Sequence, residues 1–177
     1  MTRSGNHVEL RGRALWAGEA SGEAAVEAAR PAHVPEAAGP AHVQEAAGSA
    51  LVLEAPLSLW GGLDPGSGRL CDHHHPQLGA TIAGRVLVMP SGRGSSSSSS
   101  VLAEAIRLGT APAAILLAEP DEILVLGAIV AEYLYGRTCP IVVLPVAAHA
   151  AIATGDQVVV RGDRVALVRS PDVHGEE

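Results

Sequence analysis

Residues 84–117 read GRVLVMPSGRGSSSSSSVLAEAIRLGTAPAAILL. Arg85 to Met89 is a short apolar run bounded by Gly84 and Pro90, a pattern that predicts a buried strand. Val101, Leu102, Ala105, Ile106 and Leu108 then recur at helical spacing and stop at Gly109, which predicts a helix from about 97 to 108. A second apolar run over 113–118 predicts the next strand. Strand and helix are joined by Pro90-Ser91-Gly92-Arg93-Gly94 and the six serines Ser95 to Ser100. A serine run is commonly a linker and a serine before a helix commonly an N-cap. This run is tied at both ends to strongly patterned elements, and two glycines and an arginine precede it. It therefore sets hydroxyls, a guanidinium and free backbone N–H groups at a helix N-terminus, where an anion or a developing negative charge is favoured.

The alternation continues outward. A helix over 121–135, a strand over 140–144 and a short helix near 146–153 complete a β-α-β-α-β-α order, which implies a parallel sheet with crossover helices. Asp121 and Glu122 fall in the first turn of the second helix, as its dipole prefers, and Gly136 follows its end. Gln157 to Val160 and Arg164 to Val168, around Arg161-Gly162-Asp163, predict a hairpin that pairs with strands near 8–16 and 50–55. The expected class is α/β: a parallel α/β layer joined to a β layer.

Composition bounds the function. The chain of 177 residues is long enough for one domain with its own core. It is 47% hydrophobic but 2% aromatic with no Phe, so Ala, Val, Leu and Ile must fill that core. All twelve basic residues are Arg, the net charge is −7, and no basic stripe exists for nucleic acid. MTRSGNHVELR at the N-terminus lacks the apolar core of a secretory signal. The apolar stretch Ile123 to Tyr135 contains Glu132 and is too short to span a bilayer, so it reads as a core helix. No membrane role and a cytoplasmic setting are expected. Cys71 and Cys139 are too few and too far apart for a disulfide framework or a metal knuckle; Cys139 reads as a small buried hydrophobe.

Before residue 51 the chain is unusual. Residues 31–39, PAHVPEAAG, are repeated as 40–48, PAHVQEAAG. A nine-residue repeat rich in Ala, Pro and Gly cannot form a solenoid. Residues 25–50 are read as a disordered low-complexity insertion, with an ordered core over about 7–24 and 50–170 and a tail over 170–177. His33 and His42 lie in it without a rigid scaffold to hold a metal.

Other residues divide between structural and chemical readings. His73, His74 and His75 are consecutive and cannot converge on one ion from an extended segment, so no metal site is assigned. Trp60-Gly61-Gly62 is read as core and turn: Trp buries a large surface and the glycines permit tight bends. Arg93 between Gly92 and Gly94 belongs to no packed face, and its guanidinium suits a carboxylate or phosphate.

Three blocks, GRVLVMPSGRGSSSSSSVLAEAIRLGTAPAAILL, LSLWGGLDPGSGRLCDHHHPQLG (57–79) and GAIVAEYLYGRTCPIVVL (127–144), resemble the aconitase X swivel-domain family, in the family's order and over most of residues 51–160. The resemblance implies a swivelling β/β/α domain like the mobile domain of aconitase. It also implies a small subunit, or small domain, of a hydro-lyase that removes water from a small hydroxy acid. In the related small subunits the serine after Gly-Arg-Gly is the proton acceptor, a role that falls here on Ser95. Arg93, with Gly92, Gly94 and Ser96, would then contact substrate, and Asp72 and His75 match a loop beside the active site. The family's iron or iron–sulfur centre acts as Lewis acid. With two cysteines this chain lacks the usual ligands for a cluster, so the centre is expected on a large subunit.

Two substrates occur among relatives, cis-3-hydroxy-L-proline and 5-phosphomevalonate. The long serine run resembles the hydroxyproline type. Two other classes compete. A phosphohistidine swivelling domain has similar architecture but needs a histidine before the helix where this chain has Leu126 and Gly127. A non-catalytic regulatory subunit, docking through the repeat insertion, predicts that Ser95 can be replaced without loss of partner activity.

Overall fold

The computed structural model describes residues 2–4, 7–16 and 45–168. In chain order its elements are β1 (Thr2–Ser4), β2 (His7–Arg11), β3 (Arg13–Trp16), β4 (Glu45–Val52), the kinked turn α1 (Leu59–Gly62), β5 (Leu63–Asp64), β6 (Arg69–Leu70), β7 (Val86–Met89), α2 (Ser98–Leu108), β8 (Ala114–Leu117), α3 (Glu122–Tyr135), β9 (Ile141–Val143), α4 (Val146–His149), β10 (Gln157–Arg161) and β11 (Arg164–Val168). The main sheet runs β1-β2-β11-β10-β4-β7-β8-β9-β3, and β5 and β6 form a separate ribbon. From β4 through β9 neighbouring strands are parallel; the pairs from β1 to β4 and the β3–β9 pair are antiparallel. This is the expected parallel α/β layer joined to a β layer.

Strand alternation builds two cores. Val86 and Val88 of β7, with Ala114 and Leu116 of β8, turn toward Val158, Val160, Val165 and Leu167 and fill the space between the β layers. Leu87, Met89, Ile115 and Leu117 point the other way, against Leu102 and Ile106 of α2 and Leu124 and Ala128 of α3. Each buried Val, Leu, Ile or Met among them contributes about 1.5–3 kcal/mol, which lets a core without Phe hold the fold.

The helices start and stop where their end residues dictate. Gly109 and Gly136 adopt left-handed conformations, and their N–H groups close the last turns of α2 and α3. Asp121 is the N-cap of α3 rather than part of its first turn: Oδ1 accepts from the N–H groups of Ile123 and Leu124. The two helices approach closely at Gly127, where a β-carbon would come within 2.6 Å of the Ser99 carbonyl oxygen.

Several expectations are corrected. The strand read at 50–55 begins at Glu45, so the end of the expected insertion is ordered sheet. Glu45 to Ser49 pair with β10, while Ala50 to Val52 pair in parallel with β7. An Ala-Gly-Ser run has weak strand preference of its own; the open edge of β10 recruits it, and the exposed Arg161–Glu45 pair sits at its end. The N-terminal strand read over 8–16 splits at Gly12, its second part pairing with β9 and not with the hairpin. Residues 17–44, with His33, His42 and most of the repeat, and the tail from 169 lie outside the described residues.

Candidate functional site

The segment after β7 is laid down by residues 57–60. Leu57 bridges Gly92 in parallel fashion, and the Arg93 N–H donates to the Leu57 carbonyl at 3.1 Å. Gly94 follows with φ +102°, a left-handed conformation that disfavours any side chain. The Trp60 N–H then donates to Ser98 Oγ at 3.1 Å, which fastens the first residue of α2 to the same stretch. Ser98 is buried, 5% exposed, so this serine is structural.

Ser95 leads the chain into α2. Its Oγ accepts from the Ser97 N–H at 3.2 Å and its carbonyl from the Ser98 N–H at 2.9 Å. Ser97 occupies the N-cap position, yet its side chain caps nothing. The Ser95 hydroxyl thus receives a backbone N–H at the positive end of a helix of 11 residues.

Gly92, Arg93, Gly94 and Ser95 line one pocket of about 200 Å³ beyond the C-terminal end of β7. In open α/β sheets ligands settle at that edge. Pro120 to Leu124 at the start of α3 line the same pocket. Ser96, expected beside substrate, is not among the lining residues; its carbonyl accepts from the Ser99 N–H and hydroxyl.

Of the two loop candidates the structure brings in one. Asp72 Oδ2 lies 3.3 Å from the Arg93 guanidinium, and Oδ1 accepts from the His74 N–H at 2.8 Å. That N–H above all, with the charge of Arg93, holds the Asp72 carboxyl below the ordinary value of 3.8. Arg93 is therefore oriented by a carboxylate while its side chain stays 62% exposed. His75 is placed differently. It is 5% exposed, with Nδ1 accepting from the Gln77 N–H and Nε2 facing the Ala55 carbonyl at 3.2 Å. Both ring nitrogens are engaged in holding the loop.

Trp60 overturns the core half of its reading: the side chain is 59% exposed. The turn half stands, with Gly61 at φ +77°. Asp121 lines the pocket too, a placement that the sequence reading did not anticipate. Pro120-Asp121-Glu122 signals a helix start, but nothing local shows that its carboxylate packs against Gly92.

Among the described residues no group of three or more His, Cys, Asp or Glu could hold a metal ion. The cysteines do not fit an iron centre. Cys139 is buried, its Sγ faces the Pro112 carbonyl, and burial pushes its thiol up to about 12, away from the thiolate a metal requires. Cys71 is exposed and points to the Gly61 carbonyl. No helix among the described residues is long and apolar enough to cross a membrane.

Residues 38–168 match the sequence model of a family described as the aconitase X swivel domain. Over 88 residues, 50% of this chain, the sequence is 61% identical to a cis-3-hydroxy-L-proline dehydratase of Pseudomonas aeruginosa, and the match spans 15% of that protein. Over 76 residues, 43% of this chain, it is 46% identical to a phosphomevalonate dehydratase small subunit of Methanothermobacter thermautotrophicus, spanning 58% of that protein. The chain thus spans less than two thirds of each of these relatives. The crystal structure of Thermococcus kodakaraensis aconitase X in its holo-form superposes with a TM-score of 0.68 at 27% identity, over 92% of this chain and 99% of the matched one.

Proposed function

The chain belongs to the aconitase X swivel-domain family, and we propose that it is the small, swivelling part of an aconitase-X-type hydro-lyase that removes water from a small hydroxy acid. The observation that carries the reading is the position of Ser95: on a Gly-Arg-Gly-Ser loop beyond a parallel strand, with a helix N-terminus behind its hydroxyl and Arg93 on the same pocket wall.

A neutral serine hydroxyl is a weak base, so proton abstraction requires an environment that favours the alkoxide. The Ser97 N–H directed at Oγ and the dipole of α2 provide part of it. Arg93, held by Asp72, presents its guanidinium toward the carboxylate of the substrate. Ser95 takes the proton from carbon as the hydroxyl departs from the adjacent carbon, and the two leave as water. An iron centre on the large subunit, the expected partner, would supply the Lewis acidity for the departing hydroxyl. Gly92 and Gly94 allow the substrate to approach the backbone.

The proposed substrate is cis-3-hydroxy-L-proline, supported by the 61% identity to the Pseudomonas dehydratase. The pocket wall favours it too. Asp121 and Glu122 line the same pocket as Arg93, a mix of charges suited to a zwitterionic imino acid and repulsive to a phosphorylated acid. The alternative, 5-phosphomevalonate, rests on the 46% identity to the archaeal small subunit.

The test is co-expression with the aconitase-X-type large subunit of the same organism, followed by anaerobic dehydratase assays on both substrates with Ser95→Ala in parallel. Dehydration of cis-3-hydroxy-L-proline that falls by about a hundredfold or more in Ser95→Ala is expected. Activity that survives the substitution removes Ser95 from the reaction and favours a regulatory subunit.

A further inference from the structure

Helix α3 is apolar on both its inner and its outer face, its charged residues being Glu122 and Glu132. Its inner face, Leu124, Gly127, Ala128 and Ala131, is buried. Its outer face exposes Leu126, Ile129, Val130 and Tyr133 by 53%, 37%, 36% and 68%. These four stand at i, i+3, i+4 and i+7, so they form one continuous stripe along the helix. A helix with apolar residues on its outer as well as its inner face is suited to the interior of a larger body. The stripe also leads to the site, because Glu122, one turn before Leu126, lines the Ser95 pocket.

A second exposed anchor stands at the start of α2. The Trp60 peptide is fixed from both sides, its N–H donating to Ser98 Oγ at 3.1 Å and its carbonyl accepting from Ser58 Oγ at 3.0 Å, while its side chain remains 59% exposed. A large aromatic on a rigid peptide is the kind of residue that dominates binding energy at interfaces.

We propose that the α3 stripe and Trp60 form the docking surface for the large subunit, an inference that rests on the hydro-lyase reading above. The occupant follows from continuity: a body that covers the stripe beyond Glu122 also closes over Ser95. A two-fold pairing of this chain with a second copy would present the same patch to itself and bring two identical pockets together. In the Pseudomonas dehydratase the matched stretch is 15% of the protein, so a far larger body accompanies this unit there.

The experiment is co-purification and a binding titration with the large subunit of the same organism. It compares the wild-type chain, Leu126→Glu combined with Tyr133→Glu, Trp60→Ala, and Arg164→Glu on β11 as a control. Circular dichroism and melting of each free variant establish that it folds. The wild type and Arg164→Glu are expected to bind alike, with affinity about tenfold or more weaker for the stripe and Trp60 variants. Equal binding by all four overturns the docking surface while leaving the partnership standing. A wild-type chain that leaves the large subunit unbound overturns the hydro-lyase reading and this surface with it. A free chain that sediments as a dimer split by the stripe substitutions assigns the face to a second copy and overturns the proposal.

Discussion

The Oδ2 atom of Asp121 occupies the place that a β-carbon on Gly92 would take. The other oxygen of the same carboxylate caps α3 through the N–H groups of Ile123 and Leu124 at 2.9 and 3.0 Å. One side chain therefore fixes the helix start and packs against the loop that carries Arg93 and Ser95.

Gly92→Ala forces Asp121 away from its cap. The expected loss is about 0.5–2 kcal/mol, the worth of an N-cap. Asp121→Ala removes the cap as well, so in that background Gly92→Ala costs less than it does alone, and the pair is non-additive. Asp121→Asn keeps the cap and stays near wild-type stability. Thermal melts of the single and double variants measure the cycle; strict additivity would show that the two residues are independent.

Asp72 is stabilised as its anion, so its folded pKa lies below the unfolded 3.8. The contribution is present in full above that value and is lost as pH falls through the lower folded one. Asp72→Ala should be the less stable protein at neutral pH, with the gap to wild type narrowing below about pH 3.8. Melting both proteins from pH 7 to pH 3 tests the sign. Under the proposed hydro-lyase activity the same substitution frees Arg93 and should raise KM more than it lowers kcat.

The two thiols should react in separate steps. Cys71 is exposed and should be labelled at once by a thiol reagent at pH 8, whereas Cys139, buried with its thiol pushed up to about 12, should react only on unfolding. Two fast equivalents in the native protein would mean that the Cys139 site opens.

The sequence by itself determined every element of the β7-α2-β8-α3-β9 succession, the hairpin of β10 and β11, and the loop that holds Ser95. These features are written in local periodicity, in the glycines that end helices and in the chemistry of a Gly-Arg-Gly-Ser turn, all of which act over a few residues. The tertiary structure decided where partners come from far along the chain. The weak Glu45 to Ser49 segment becomes strand because β10 offers an edge. His75 turns inward to two backbone groups, whereas Asp72, three positions earlier, turns to Arg93. Trp60 and the outer face of α3 stay exposed although their composition reads as core. Burial is a property of what packs from elsewhere in the chain, and hydrophobicity alone does not say whether that cover lies in this chain or in another.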